Sequence, residues 1–264
     1  MLVNGKEIAE DILVQVKKEA AARPAGAPRL TAVTCQPNFE TRKYLALKKR
    51  RAAEAGIVLN VVELPPEIDT DEAVFTVAKL AEKTDGLVVQ LPLPDHFDRK
   101  RILAAVPPEK DPDGFAYGKN KMACLPPVTG AIDEIANRYG VKWRDREVVI
   151  LGSGVLVGQP AALYAKEKGA KVTVLTKDNF NPDLLRLADL IITGIGQPHF
   201  VVPDMVKEGV VIFDAGTAED GGKIAGDVDP KTYAKTSLVT PVPGGIGPIT
   251  IAYLLRNLMS LTSQ

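Results

Sequence analysis

Three glycines, Gly152, Gly154 and Gly158, separate an apolar run from Val148 to Leu151 from a helix-forming stretch, residues 160–168. In the order strand, glycine turn, helix, this segment has the chemistry to hold a dinucleotide pyrophosphate. Gly152 permits a tight turn, Gly154 lets backbone approach the phosphates, Gly158 allows close helix contact, and the helix N-terminus attracts the negative charge. The spacing is GxGxxxG, one residue longer than the common fingerprint. The next strand ends at Val174-Leu175-Thr176-Lys177-Asp178. An acid there would bond the ribose hydroxyls of NAD, and a base would accept the extra phosphate of NADP. Lys177 and Asp178 offer both, so this pair leaves cofactor choice open, and a solvated charged turn accounts equally well for either residue taken singly.

A second set of candidates lies earlier in the chain. Tyr44 and Lys48 are four residues apart on a helical stretch, so they share a face and reach the same ligand. A free lysine, with a reference pKa of about 10.4, is too fully protonated at neutral pH to serve as a base unless desolvation or a partner lowers it. Taken alone, Lys48 belongs to the basic run Lys48-Lys49-Arg50-Arg51, a pattern typical of a solvated helix face. Gln90 alone is a strand-end amide, and Asp113 beside Gly114 is a turn former. His96 and His199 lie near prolines in loops and are assigned no catalytic role, which leaves metal binding unsupported.

The elements that must position these residues alternate along the chain. Residues 6–22 place Ile8, Ile12, Leu13 and Val16 at helical spacing. Strand then alternates with helix: 30–35, 42–55 stopping at Gly56, 57–64, 70–82, and the nearly all-apolar 85–91. This order predicts a parallel sheet covered on both faces. Between Pro107 and Pro127 periodicity gives way to Pro, Gly, Asp and Lys, which marks a crossing between domains or an active-site loop. A helix at 130–139 follows, then strands at 148–151, 171–175, 190–193 and 210–213, the pattern of a doubly wound nucleotide-binding domain. The fold expected is α/β with a catalytic domain over 1–118, a Rossmann-type domain over 119–245, and a last helix, within 246–264, returning to the first domain.

Composition narrows the partners. The 264 residues carry 33 basic and 33 acidic side chains, so no global field gathers nucleic acid or anionic lipid. Two cysteines, Cys35 and Cys124, support neither a disulfide framework nor a zinc site and suit a reduced cytoplasmic compartment. The opening residues lack the apolar region of a signal peptide, and no apolar run approaches the roughly 20 residues that span a bilayer.

Four stretches beyond the glycine turn combine into a resemblance: Tyr44-Leu-Ala-Leu-Lys48, Val89-Gln90-Leu-Pro-Leu-Pro94, Lys110-Asp-Pro-Asp113-Gly-Phe115, and Thr240-Pro-Val-Pro-Gly-Gly-Ile-Gly-Pro-Ile-Thr250. Together they resemble the bifunctional methylenetetrahydrofolate dehydrogenase/methenyltetrahydrofolate cyclohydrolase family, along the chain from the opening helix to the last. The resemblance implies hydride transfer from 5,10-methylenetetrahydrofolate to NAD(P)+ and hydrolysis of the resulting methenyl cation to 10-formyltetrahydrofolate, in a homodimer of one-carbon metabolism. It implies Lys48 as the catalytic lysine with Gln90 as partner, Asp113 as the acid that grips the pterin, and Tyr44 flanking it. Pro243, Gly244 and Gly245 would line the substrate, and Gly152, Ser153, Gly154, Val157, Gly158, Lys177, Gly194 and Thr240 the cofactor, with no metal.

The chain departs from the family pattern in places. Ser153 stands where an arginine usually supports the NADP phosphate, while Lys177 replaces a serine and restores a positive group, so NADP is favoured narrowly and NAD stays a rival. The segment between Phe115 and Gly130 is short, and Leu125-Pro-Pro-Val-Thr129 replaces a Pro-Cys-Thr-Pro stretch. Three other readings remain at this stage: a dehydrogenase without the hydrolase, a non-catalytic dinucleotide-binding protein on the same fold, and a different two-domain dehydrogenase of shikimate or malate type, which lacks any claim on the Pro243 to Thr250 loop.

Overall fold

The computed structural model describes residues 1–263, with Glu40 described by its backbone alone. The chain forms two compact units, one comprising Glu10–Pro127 with Ile251–Gln264, the other Met1–Ala9 with Val128–Thr250. The division falls at Pro127 and Val128 rather than between residues 118 and 119, because the loop after Asp113 stays packed on the first unit. The N-terminal nine residues go with the second unit: Val3 donates to the Val239 carbonyl at 3.0 Å and Gly5 to that of Gly244 at 2.9 Å.

Helix α1 (Gly5–Ala22) leads into the first unit, whose three parallel strands are β1 (Arg29–Thr34), β2 (Val58–Glu63) and β3 (Gly86–Val89), in the order β2-β1-β3. Strands β1 and β3 are buried almost throughout, as continuous apolar runs require in a parallel sheet. The expectation of cover on both faces fails at β2, an open edge where Val58 is 47% and Val61 42% exposed. Helix α2 (Phe39–Glu54) starts three residues before the expected 42 because Asn38 caps it, its Oδ1 accepting from the Thr41 amide at 2.8 Å. Helix α3 (Thr70–Ala81) carries a capping box in which Asp69 and Glu72 satisfy each other's backbone. Between β1, β3 and α3 lies a core of Val33, Leu64, Val77, Leu87, Val89 and Ile102, the last on a short helix α4 (Arg99–Ala104) that sequence periodicity was too brief to reveal.

The second unit begins with α5 (Pro127–Tyr139) and builds a five-stranded parallel sheet from β4 (Glu147–Leu151), β5 (Lys171–Leu175), β6 (Leu190–Thr193), β7 (Val210–Asp214) and β10 (Thr236–Val239), ordered β10-β7-β6-β4-β5. Helices α6 (Gly158–Glu167) and α7 (Pro182–Leu187) and an antiparallel hairpin of β8 (Ala218–Asp220) and β9 (Lys223–Ala225) complete it. Neither α7, the hairpin nor β10 stands out in the sequence: α7 is under two turns long, and the strands of the hairpin and β10 lack a continuous apolar run. The sheet core is Val149, Leu151, Ile191, Val210 and Ile212 with their neighbours. Helix α8 (Ile246–Thr262) ends the chain; Leu258 on it fills the space where a side chain at Gly86 would stand, a Cβ there lying 2.5 Å from its Cδ1. Among the described residues no helix is long and apolar enough to cross a membrane.

Candidate active site

In the first unit α2 and the C-terminal end of β3 bring Lys48 and Gln90 together. Lys48 is 6% exposed, and its Nζ donates to Gln90 Oε1 at 3.0 Å. The basic run therefore splits around the helix: Lys49 and Arg50 face solvent, Arg51 pairs with Glu10 and Glu54, and Lys48 points inward. Gln90 is fixed at both ends, its backbone amide donating to Val33 O at 2.7 Å and its Nε2 to Leu91 O at 2.9 Å. That second bond uses the amide nitrogen and leaves Oε1 facing the lysine. One turn before Lys48, the Tyr44 ring lies beneath the ammonium, 5.0 Å from centroid to Nζ.

Burial dominates the electrostatics. It pushes the Lys48 ammonium below the ordinary lysine range, against an opposing pull from Asp113. Burial likewise raises the Asp113 carboxyl, against the stabilising charge of Lys48. The Tyr44 phenol is raised, first by burial and then by Asp113, so it stays a neutral hydrogen-bonding group. Tyr44, Lys48 and Asp113 thus sense one another, and a neutral amide rather than a carboxylate holds the lysine. A carboxylate bonded there would lock it as ammonium; the amide orients it while burial loosens its proton.

The loop that carries Asp113 is built from residues with no obvious catalytic type. Asp111 is buried and accepts from the backbone amides of Gly114 at 3.0 Å and Phe115 at 2.7 Å. Its carboxyl is pushed up to about 7, chiefly by burial and then by Asp113. Gly114 has φ +68°, and a Cβ on it would meet Cys124 O at 2.3 Å, so only glycine fits. From α8, buried Asn257 donates through Nδ2 to Pro112 O and Leu125 O, both at 2.9 Å, clamping the two arms of the loop. Among the described residues no group of three or more His, Cys, Asp or Glu side chains is placed to hold a metal.

In the second unit the glycine turn has the shape a pyrophosphate needs. Gly152 has φ +91° and donates to Leu175 O at 2.8 Å. A Cβ at Gly158 would sit 2.1 Å from Gly152 O, so α6 starts hard against the turn, whereas Gly154 has open space around it. Val157 packs on the end of β6, where a Cβ at Gly194 would meet its Cγ1 at 2.8 Å. Ser153 and Lys177 are exposed. Lys177 sits on a turn after β5 closed by Asn179, whose Oδ1 accepts from the Thr176 amide at 2.6 Å. Close backbone approach at Gly154, with a helix N-terminus behind it, fits a dinucleotide phosphate.

The chain's matches to known families cover both units. The catalytic-domain model of the tetrahydrofolate dehydrogenase/cyclohydrolase family matches residues 3–113, and the NAD(P)-binding-domain model of the same family matches residues 126–264. The chain belongs to the tetrahydrofolate dehydrogenase/cyclohydrolase family. It is 34% identical to the bifunctional protein FolD of Lactobacillus gasseri over 100% of this chain and 98% of that protein. With FolD of Flavobacterium johnsoniae the identity is 37%, over 97% and 95% of the two chains. The crystal structure of the bifunctional FolD methylenetetrahydrofolate dehydrogenase/cyclohydrolase from Campylobacter jejuni superposes with a TM-score of 0.94 at 32% identity, covering 100% of this chain and 98% of that one. FolD of Trypanosoma brucei, solved with NADP cofactor and an inhibitor, gives 0.91 at 30% identity, over 100% and 97%.

Two residues expected at ligands in this tetrahydrofolate dehydrogenase/cyclohydrolase have their groups committed elsewhere. The Thr240 hydroxyl accepts from the Asp214 amide at 2.7 Å and donates to Asp214 O at 3.3 Å, leaving main chain for a ligand. Gly245 is a packing glycine, since a Cβ there would meet Pro241 O at 2.6 Å; Gly244, half-buried with φ +106°, has open space where a Cβ would stand. Pro243 precedes it across a cis peptide bond from Val242. Sequence reasoning missed Asp111, Asp214, Asp227 and Asn257. Each is buried, and a buried Asp or Asn is the one signal that could have found them; it is invisible until the fold is known.

Proposed function

We propose that this protein oxidises 5,10-methylenetetrahydrofolate to the 5,10-methenyl cation with NADP+ and hydrolyses that cation to 10-formyltetrahydrofolate. The observation that carries the reading is the buried Lys48 held at 3.0 Å by the neutral Gln90 amide, with Asp113 near enough to bias its charge. In the oxidation, the C–H bond of the methylene carbon breaks and its electron pair leaves as hydride; the bound dinucleotide supplies the acceptor for it. Asp113 accepts hydrogen bonds from the adjacent N–H groups of the pterin edge and fixes the ring. Tyr44, kept neutral by burial, flanks the pterin and bonds near the reacting carbon. In the hydrolysis Lys48 takes a proton from the attacking water as its oxygen bonds to the methenyl carbon, and Gln90 keeps the amine aimed. The bond from that carbon to N5 then breaks with its electron pair going to N5, which takes up a proton as the carbinol oxygen loses its own and becomes the carbonyl of the 10-formyl product.

On the second unit the Gly152 to Gly158 turn takes the pyrophosphate, Val157, Gly194 and the Thr240 main chain line the cofactor, and Pro243 and Gly244 meet the substrate. Lys177 reaches the adenosine phosphate of NADP where Ser153 offers no charge; NAD would instead use Asp178. The reaction takes place in the cytoplasm, in a homodimer for which the open edge of β2, with exposed Val58 and Val61, is a natural pairing site. Absorbance assays decide the activity. Wild type should reduce NADP with methylenetetrahydrofolate and consume the methenyl compound, and Lys48→Met should abolish the second activity. A wild-type protein that does neither defeats the reading, and one that only oxidises is a dehydrogenase without the hydrolase.

A further inference from the structure

Two buried carboxylates in the second unit take no part in the catalytic set. Asp227 is fully buried and accepts three hydrogen bonds from the end of β6: the Thr193 hydroxyl at 2.6 Å, the Ile195 amide at 2.8 Å and the Gln197 amide at 2.8 Å. Asp214, at the end of β7, accepts from the amides of Gly216 at 2.9 Å, Asp227 at 3.2 Å and Val228 at 3.0 Å. The Asp214 main chain in turn is bracketed by the Thr240 hydroxyl. One hydrogen-bonded relay therefore runs from Thr240 through Asp214 and Asp227 to Thr193, Ile195 and Gln197. Its two ends are the residues beside, or identical with, Gly194 and Thr240, both placed at the cofactor.

Space around the carboxylates is as closely built as their bonding. A Cβ at Gly216 would lie 2.2 Å from Asp227 Cγ, and one at Gly226 would lie 2.2 Å from Asp214 Oδ2. Backbone is thus brought against each carboxylate from a second side, at positions where only glycine fits. Two carboxylates in one buried site are costly, and three donors apiece oppose that cost. A core that needed only packing would meet that need with apolar side chains. The donors that Asp227 gathers are the Thr193 hydroxyl and the Ile195 and Gln197 amides, alternate positions along the end of β6 and the turn after it, whose direction fixes where Gly194 stands beside Val157.

We propose that Asp227, supported by Asp214, is a positioning residue that holds the Gly194 to Gln197 turn and the Thr240 strand end in cofactor-binding geometry. This rests on the dinucleotide reading given above. The two activities of the protein separate it from a merely structural role, because hydrolysis of the methenyl compound needs no dinucleotide. Asp227→Asn places an amide NH2 against N–H donors. It should raise KM for NADP by about tenfold or more, the effect of losing one charge-assisted bond, while methenyl hydrolysis without cofactor stays within about twofold of wild type. Wild-type KM and kcat for NADP in this variant would overturn the proposal. If Asp227→Asn loses both activities together, Thr193→Val, which removes one donor without a change of shape, decides: a rise of about threefold to fivefold in KM for NADP with hydrolysis retained supports it. Thr193→Val that matches wild type, or that loses both activities equally, overturns it. A wild-type protein that hydrolyses the methenyl compound but neither binds nor reduces NADP or NAD would remove the cofactor reading, and the proposal with it.

Discussion

Replacing Gln90 by glutamate tests the proposed role of the amide beside Lys48 with one atom's change. The substitution sets a carboxylate where Oε1 now lies, 3.0 Å from Lys48 Nζ. At an effective dielectric of about 20, unit charges at that distance attract by about 5.5 kcal/mol, equivalent to about four pKa units. The new carboxylate must itself be desolvated in the same buried place, which cancels a share of this; retaining half leaves about two units, or about 2.7 kcal/mol. Burial now lowers the Lys48 pKa, and the carboxylate would raise it. A lysine acting as base works only when deprotonated, so at pH values below the wild-type limb its active fraction should fall by about a hundredfold. Methenyl hydrolysis, followed by loss of absorbance, should fall by the same factor there and recover as pH rises, its limb displaced upward by about two units. Gln90→Ala is the control: it loses rate through misorientation but leaves the limb without an upward shift. Were Gln90→Glu to keep the wild-type rate and limb, the assignment of Lys48 as the base and of the amide as its neutral partner would be refuted.

Lys48→Met should leave methenyl hydrolysis undetectable while the protein still binds NADP, as read by fluorescence titration. Lys177→Ala should raise KM for NADP about fivefold and leave that for NAD unchanged, a modest factor because the side chain is exposed and screened. Gly158→Ala forces a Cβ to within 2.1 Å of Gly152 O, so the turn must open. Dinucleotide affinity should drop by about a hundredfold in direct titration with hydrolysis retained. Asp111, with a folded-state pKa of about 7 against an ordinary 3.8, holds its proton more tightly in the native protein than in the unfolded chain. Its contribution is fully present below pH 3.8 and is lost as pH rises towards 7, by up to about 4 kcal/mol. Asp111→Asn should remove that slope, seen as a flatter dependence of Tm on pH over this range.

The alternation of apolar runs with helix-forming stretches was legible because long elements declare themselves by period. So were the glycines, since Gly152 and Gly158 are demanded by local backbone geometry. Lys48 was legible only through a multi-residue pattern: a charge run reads as solvent-facing, and nothing in Lys48-Lys49-Arg50-Arg51 says that one of the four turns inward. The helices α4 and α7 were hidden because six residues, under two turns, carry too little helical periodicity, and β10 because Thr236-Ser237 opens it with polar residues where β4, β6 and β7 have apolar runs. Asp111 and Asn257 were hidden for other reasons. Asp111 bonds amides only three and four residues on, an ordinary turn pattern that gives no sign of its burial, while Asn257 reaches carbonyls 145 and 132 positions away, which no spacing rule encodes.

Carboxylates serve opposite ends in the two units, and the contrast follows from what each must hold. Asp227 and Asp214 face backbone amides and the Thr193 hydroxyl, uncharged donors, three apiece, and the result is a fixed shape, although burial still raises the Asp214 carboxyl to about 6. Asp113 is coupled to Lys48, a group whose charge changes, and shares with it a balance in which burial disfavours both charged forms while each charge favours the other. Binding a pterin across Asp113 spends its charge on the substrate's N–H groups. The pull on Lys48 then weakens, burial prevails, and its proton is held less tightly with substrate in place than without it. The lysine is therefore primed by the molecule it acts on: the pH at which methenyl hydrolysis reaches half its maximum should lie lower in the saturated complex, read from kcat, than in the free enzyme, read from kcat/KM. An equal midpoint in both profiles would break the link between Asp113 and Lys48.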